Sequence, residues 1–264
     1  MPDLSPKDQD LYENLSAGYE GVGEFYDLFA DNSDLPFYIE YAQKIGSPIL
    51  DVAAGTGRVT FALAQKGHEV VALEQSPSML SVAKSRLQTS PQEVASRITL
   101  VEGYMTEFSL NRKFNLIIIP TSFVHALTTE EQLSTLQSVH DHLRDDGFFI
   151  LDLFPGGMQY EHATFEDTPV HLEDGRIVSR RGEIHSDLSK KLMRMDLQYI
   201  VRNSDGKLID KIKVVSGAAL ILNHEADLLI QTAGFKIEEE LGDFEGNSYT
   251  PESGRRIFVL RKGD

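Results

Sequence analysis

The strongest indication of the fold comes from residues 49–74, which read ILDVAAGTGRVTFALAQKGHEVVALE. An apolar run with one acid, Asp51, leads into a loop of small residues, and apolar side chains then recur at helical spacing from Val59. A second apolar run, Val70–Leu73, ends on Glu74. Strand, glycine turn, helix and a strand with a terminal acid form the first half of an open α/β sheet, in which ligands bind beyond the carboxyl ends of the strands.

The alternation of strand and helix patterns continues to Phe154, with five strand-like runs and four helical segments between them. Such alternation is typical of a parallel sheet. Two further runs, Phe235–Leu241 and Arg256–Leu260, raise the strand count to seven. The predicted fold is therefore a Rossmann-like, doubly wound α/β fold with a mostly parallel seven-stranded sheet.

Residues 155–222 interrupt this alternation and predict an antiparallel β insertion of three or four strands after the fifth strand. The expected strands are Val170–Leu172, Ile177–Ser186, Leu192–Val201 and Leu208–Leu222. The sequence thus divides into an N-terminal helical cap (1–46), a core (47–154 and 223–264) and the insertion (155–222). We expect the insertion to act as a lid over the site or as a dimer surface.

Composition limits the classes of partner. The 264 residues carry a formal net charge of −16 and no basic cluster longer than a doublet, whereas nucleic-acid binding depends on Lys and Arg near phosphates. We therefore expect neither a nucleic acid nor a membrane as partner. The absence of cysteine excludes disulfides and thiolate metal sites. The polar, acidic N-terminus lacks a secretory signal, so a cytoplasmic location is expected.

The glycine loop discriminates between two nucleotide-binding classes. A dinucleotide fingerprint needs a third glycine, where this chain has Thr60. The pattern Asp51-x-Ala53-x-Gly55-x-Gly57 resembles instead the first motif of class I S-adenosyl-L-methionine (SAM) methyltransferases. Further segments resemble later motifs of that family: Glu74–Leu80, Val101–Met105, Phe114–Pro120, and Leu143–Gly147 with the FFILDLF run that follows it. The resemblance covers roughly residues 20–154 and is specific for class rather than for substrate.

This resemblance implies SAM as cofactor and suggests a role for each residue of the site. Glu74 would accept the two ribose hydroxyls, and Asp51 would support the loop and the methionine ammonium. Tyr104 stands where the family usually has an aspartate that contacts adenine. Tyr26 resembles a tyrosine that closes over the cofactor in related enzymes. The complete predicted cofactor set is Tyr26, Asp51, Ala53, Gly55, Gly57, Glu74, Gln75, Met79, Tyr104, Met105, Ile119 and Pro120.

His125 is the predicted catalytic residue. The segment Pro120–His125 resembles a stretch of sugar-amine N-methyltransferases in which the histidine is proposed as the base. An ammonium or alcohol acceptor must lose a proton, and a histidine just past the fourth strand lies at the edge of the site. The alternative is that His125 caps a helix or lines the pocket without a proton role.

The sequence therefore predicts a SAM-dependent methyltransferase that acts on a small-molecule acceptor, at an amine nitrogen. The alternatives are methylation of a carboxyl or hydroxyl oxygen, and a SAM-binding regulatory protein without turnover. A nicotinamide oxidoreductase is disfavoured by Thr60. The identity of the acceptor and the existence of a homodimer stay open.

No metal site and no anion clamp are predicted. His140 and His142 are two residues apart on a helix and point to different faces. No His and carboxylate set has the i, i+4 spacing of a helical ligand pair. Arg180 and Arg181 lie on a predicted strand, where only one of them can face the pocket, and we expect both to be solvated surface rather than a clamp for a carboxylate or phosphate.

Overall fold

The structure is a computed structural model that describes residues 15–154 and 161–263. Its strands are β1 (Ser16–Ala17), β2 (Ile49–Val52), β3 (Val70–Glu74), β4 (Ile98–Glu102), β5 (Phe114–Ile119), β6 (Leu143–Leu153), β7 (His162–Glu166), β8 (Val170–His171), β9 (Ile177–Asp187), β10 (Leu192–Arg202), β11 (Leu208–Ala219), β12 (Phe235–Leu241) and β13 (Arg256–Lys262). Its helices are α1 (Gly23–Tyr26), α2 (Leu35–Ile45), α3 (Arg58–Gln65), α4 (Pro77–Thr89), α5 (Gln92–Ala95), α6 (Thr129–His142) and α7 (Asn223–Thr232). Two 3₁₀ turns span Asp27–Phe29 and Phe123–His125.

The first sheet has seven strands in the order β12-β13-β6-β5-β2-β3-β4. Strands β2 to β6 pair in parallel, whereas β13 runs antiparallel to both β6 and β12. The central strands β2 and β3 are buried along their whole length, as expected when helices cover both faces of a parallel sheet. The predicted fold class is therefore confirmed, including the number of strands in this sheet.

The second sheet contains the remaining strands in the order β1-β11-β10-β9-β7, with β8 also paired to β9. Sequence analysis did not predict β7, because His162–Glu166 has only two apolar residues and offers too short an alternation. It also expected helix before residue 46, but Ser16–Ala17 pairs in parallel with β11. Residues 1–14, which belong to the predicted helical cap, lie outside the described residues; within the described part the first helix begins at Gly23. The division of the chain into three parts stays a prediction.

Local signals in the sequence fix several helix ends. Thr128 and Glu131 form a capping box at the start of α6. The same helix ends at His142, and β6 begins at the next residue, Leu143. In the described parts of the chain, no helix is both long and apolar enough to cross a bilayer.

The segment 18–34 is attached to the first sheet by polar contacts. The Thr56 hydroxyl donates a hydrogen bond to Asp27 Oδ1 at 2.7 Å, and Arg86 Nη2 donates to Asp27 Oδ2 at 2.7 Å. Arg58 pairs with both carboxylate oxygens of Asp34. These contacts place the N-terminal segment beside the loop between β2 and α3.

Candidate functional site

A cavity of about 570 Å³ lies between the carboxyl ends of the first sheet and the inner face of the second. Its volume is typical of a small-molecule site. The predicted residues that line it are Tyr26, Asp51, Ala53, Gly55, Glu74, Gln75, Met79, Met105, Pro120 and His125. Residues separated by about 100 positions in sequence are thus brought to one site.

The loop after β2 is held by Glu74. Gly55 N–H donates to Glu74 Oε2 at 2.8 Å, and Ser76 N–H donates to Oε1 at 2.7 Å. Gly55 has a φ of +60°, and a Cβ built on it would meet no atom within 4 Å. The backbone of the loop is therefore open to close approach by a ligand. Each Glu74 oxygen keeps a second lone pair that can accept a hydroxyl.

Asp51 is a buried carboxyl group at the end of β2. Its Oδ2 accepts the Thr60 hydroxyl at 2.6 Å, whereas Oδ1 has no hydrogen-bond partner among the described residues. Burial raises the Asp51 pKa to about 7, although the bond from Thr60 opposes this shift. An unpartnered buried acceptor is costly, so Oδ1 is a group that a ligand donor can satisfy. The same pairing explains Thr60 in place of the third glycine.

Three of the predicted cofactor residues do not line the cavity. Tyr104 is 65% exposed and lies outside the cavity, whereas its neighbours Gly103 and Met105 line it, so the position of Tyr104 does not favour the expected adenine contact. Gly57 is the left-handed residue at the start of α3, and its role is to turn the chain. Ile119 is fully buried within the sheet, whereas the next residue, Pro120, reaches the cavity.

Several cavity residues were not identified from the sequence. Tyr19, Thr56, Arg58 and Ser76 all line the cavity. Ser76 carries a visible signal, because its hydroxyl caps α4 by accepting from Met79 N–H at 3.2 Å. The other three give no local signal, since their place depends on how the N-terminal segment folds over the loop.

The imidazole of His125 has a defined tautomer. Its Nδ1 lies 2.9 Å from the Gly217 carbonyl oxygen, and a carbonyl only accepts, so Nδ1 carries the proton. Nε2 has no hydrogen-bond partner in the described parts of the chain. Burial lowers the His125 pKa, and the bond to Gly217 partly offsets this. His125 at neutral pH is therefore a neutral imidazole with a free lone pair on Nε2.

The opposite wall of the cavity comes from the second sheet and is mainly apolar. Met193, Met195, Ile184 and Phe165 line it. The edge of the Tyr19 ring approaches His125, with ring centroids 5.5 Å apart at 89°, and its hydroxyl lies 3.9 Å from Met195 Sδ. The Tyr19 ring therefore packs against the imidazole and connects it to Met195 of the second sheet.

Arg180 also belongs to this wall, contrary to the expectation that it is solvated. Only 19% of its side chain is exposed, and its Nε donates to Asp167 at 2.6 Å. The guanidinium lies over the ring of Phe29 at 4.8 Å and that of Phe165 at 5.6 Å. Arg181 points to the other face and bonds Gln198. The prediction for Arg180 was wrong because a strand pattern cannot show which face another sheet covers.

The residues at the first sheet fit an adenosyl sulfonium donor. Glu74 offers free lone pairs to a ribose diol, and the Gly55 backbone leaves room for close approach. Asp51 Oδ1 is an acceptor without a donor, as a ligand ammonium requires. These observations concern the donor set itself and do not depend on any relative.

Comparisons with known proteins agree with this fit. A methyltransferase domain family matches residues 49–147. The chain is 29% identical over 245 residues to the dTDP-3-amino-3,4,6-trideoxy-α-D-glucopyranose N,N-dimethyltransferase of Streptomyces venezuelae, covering 90% of this chain and 92% of the relative. Among solved structures, the CcbJ methyltransferase from Streptomyces caelestis superposes with a TM-score of 0.75 at 20% identity, over 92% of this chain and 96% of that one.

A second solved structure contains the donor. CalS10, an amino pentose methyltransferase from Micromonospora echinaspora with bound SAM, has a TM-score of 0.69 at 22% identity, over 94% of this chain and 98% of that one. At these identities the two structures show the shared fold alone. The family match over the motif region and the full-length relative add the class, and both agree with the donor set described above. The chain is therefore a SAM-dependent methyltransferase, with SAM as its cofactor.

Proposed function

We propose that this enzyme methylates an amine nitrogen of a small molecule. The observation that carries the proposal is the fixed tautomer of His125, whose Nδ1–H is bound to the Gly217 carbonyl while Nε2 is left free at the cavity. Its neighbours on the cavity wall are apolar and aromatic. Such a wall accommodates a small organic molecule better than a polyanion.

The chain's own residues position the donor and exclude water. When bound, SAM would supply an electrophilic methyl group: an acceptor lone pair would attack the methyl carbon in line with the C–S bond, and the sulfur would leave as a neutral thioether. Glu74 and the Gly55 backbone would hold its adenosyl part, and Asp51 would accept from its ammonium. Correct alignment supplies most of the acceleration in such a displacement. Tyr19 and Tyr26 line the same cavity and would help to exclude water from it.

His125 would remove the acceptor's proton. An aliphatic amine is an ammonium at neutral pH and has no lone pair until it loses a proton. Since burial lowers the His125 pKa, the imidazole stays neutral at pH 7 and its Nε2 can take that proton. A base of this kind contributes about 10²-fold or more to turnover.

Three further observations support a small-molecule amine. The relative from Streptomyces venezuelae acts on an amino sugar, and CalS10 on an amino pentose. The net charge of −16 disfavours a nucleic acid. The inner face of the second sheet, from the predicted insertion, supplies the acceptor wall and would act as its lid.

The test is transfer of labelled methyl from SAM to matched acceptors that differ in one group: an amino sugar, the corresponding hydroxyl sugar and the corresponding sugar acid. We expect label on the amine alone. His125→Ala should lower kcat for the amine about 100-fold and leave SAM affinity unchanged, because the base acts only on the acceptor. The lowered His125 pKa also predicts that the acid-side fall in kcat lies at a lower pH than it would for an ordinary histidine base.

His140→Ala is the matched control, since His140 lies on α6 against Phe235 and does not line the cavity. It should retain full turnover. Label on the sugar acid or the hydroxyl sugar would overturn the amine assignment. Unchanged turnover of the amine in His125→Ala would overturn the base.

A further inference from the structure

Three side chains on the outer face of the second sheet converge on one point. His162 on β7 lies directly opposite His185 on β9, and Glu183 precedes His185 by two residues. Potential ligand atoms of the three residues all lie within 4.8 Å of one another, with His185 Nε2 and Glu183 Oε2 at 3.6 Å. Two nitrogens and a carboxylate oxygen thus meet on a single face.

The backbone ladder fixes this arrangement. Opposite residues on paired antiparallel strands have neighbouring side chains, and residues i and i+2 share a face. The two imidazole rings are nearly parallel, with centroids 4.6 Å apart at 25°. Ligand atoms around one tetrahedral zinc ion lie roughly 3.4 Å apart, as Zn–N and Zn–O bonds of about 2.1 Å require. Small side-chain rotations would bring the three atoms to that spacing.

The set is separate from the methyl-transfer site. Ile184 and Ser186, which alternate with Glu183 and His185 on β9, line the cavity on the inner face. Side chains of successive residues point to opposite faces, so the three side chains face away from the cavity. His162 and Glu183 are exposed, and His185 is half-buried. An ion can therefore reach them from solvent.

The charges around the set favour a cation. On β10, Arg194 lies opposite His185 and Asp196 lies opposite Glu183. Arg194 donates to both carboxylate oxygens of Asp196, at 2.6 and 2.7 Å, so these two charges cancel locally. Among the described residues no lysine or arginine forms an ion pair with Glu183, which lies beside the two imidazoles. Imidazole and carboxylate together suit zinc and its neighbours in the transition series.

We propose that His162, Glu183 and His185 bind a divalent transition-metal ion such as Zn²⁺, with solvent at the remaining position. The ion would join β7 to β9 from outside. Because Phe165 of β7 and Ile184 of β9 line the cavity, the joined strands carry part of the acceptor wall. The metal is thus a clamp on that wall and takes no part in the transfer of the methyl group.

Titration of the metal-free full chain with ZnCl₂ in a calorimeter tests this site. We expect one saturable site in the wild type, and a dissociation constant at least about tenfold higher in His162→Gln, in His185→Gln and in Glu183→Gln, since each removes a ligand. The control is His171→Gln, an exposed histidine on β8 that also pairs with β9 but lies outside the set. It should bind Zn²⁺ like the wild type.

Thermal unfolding supplies an independent readout. Saturating Zn²⁺ should raise the Tm of the wild type and of His171→Gln, because a ligand that binds only the folded state stabilises it. It should not raise the Tm of the double variant His162→Gln/His185→Gln, whose metal-free Tm should match the wild type. Absence of saturable binding, or equal binding in the double variant, would overturn the proposal without touching the methyltransferase assignment.

Discussion

The two walls of the cavity are built in different ways. On the wall from the first sheet, the decisive contacts join residues close in sequence: Asp51 and Thr60 are 9 positions apart, and Gly55 and Glu74 are 19 apart. On the wall from the second sheet they join distant residues. His125 and Gly217 are 92 positions apart, and Tyr19 and Met195 are 176 apart.

The two walls also differ in the chemical groups that they present to the cavity. The first wall presents backbone amides and two carboxylates, whose positions follow from one strand–loop–helix unit. The second presents thioether, aromatic and guanidinium side chains, which can be exchanged without changing the backbone. We infer that donor binding is determined by local structure, whereas acceptor choice depends on side chains that only the complete fold brings together.

The largest expected effect is on the first wall. Glu74→Ala removes the acceptor for two loop amides and for a ribose diol, and bonds to a charged group contribute about 1.5–3 kcal/mol each. We expect SAM affinity to fall about 150-fold, or about 3 kcal/mol, as measured by calorimetry. Glu102→Ala is the control, because Glu102 is the exposed acid in register with Glu74 on β4. Equal loss in both variants would remove Glu74 from the donor site.

The second prediction concerns pH and Asp51. Since burial raises its pKa to about 7, the folded protein binds a proton that the unfolded chain releases near pH 3.8. This contribution to stability is therefore present below pH 3.8 and is lost as pH rises through 7. Without SAM, the free energy of unfolding of the wild type should fall by about 3 kcal/mol more than that of Asp51→Asn between pH 5 and 8, because about two pKa units at roughly 1.36 kcal/mol each are lost.

Denaturant titrations at several pH values measure this difference. Asp141→Asn, at an exposed carboxylate on α6, should keep the pH dependence of the wild type. Parallel curves for wild type and Asp51→Asn would contradict the buried, proton-binding Asp51.

The third prediction turns to the second wall. Arg180→Ala removes the guanidinium between Phe29 and Phe165 and leaves Asp167 unpaired. We expect the KM for the acceptor to rise about tenfold with SAM affinity unchanged, an effect of about 1.4 kcal/mol. Arg181→Ala, one position along on the outer face, should leave both constants unchanged. A loss of SAM affinity in Arg180→Ala would show that the two walls are not independent.

The smallest expected effect concerns the glycines at the two ends of α3. Comparing alanine substitutions there distinguishes backbone strain from side-chain packing. Gly57 and Gly67 both have positive φ, +83° and +95°. A Cβ at Gly57 would lie 2.8 Å from the Phe61 ring, whereas one at Gly67 would meet nothing within 4 Å. Both alanine variants are strained in the backbone. The free energy of unfolding of Gly57→Ala, measured in urea, should nevertheless be about 1 kcal/mol lower than that of Gly67→Ala. Equal destabilisation would mean that the Phe61 ring moves freely.

The sequence was sufficient to predict the fold class, the donor and most of the first wall, because those features depend on contacts within short segments of the chain. It was insufficient where register or distant pairing decides. Tyr104 was chosen by its position in a motif, yet the chain turns there so that Gly103 and Met105 reach the cavity. Arg180 and Arg181 could not be told apart before the second sheet was seen. The set at His162, Glu183 and His185 was missed because ligand spacing was sought on helices rather than across strands.

The contact between the N-terminal segment and the glycine loop has a consequence for the rate of turnover. Tyr26 and Asp34 line the cavity, and their segment is fastened by ion pairs of Arg58 with Asp34 and of Arg86 with Asp27. We expect these ion pairs to break when spent donor is exchanged for fresh. Ions in solution screen such pairs. We therefore expect kcat to rise in moderate salt under conditions in which cofactor exchange limits the rate.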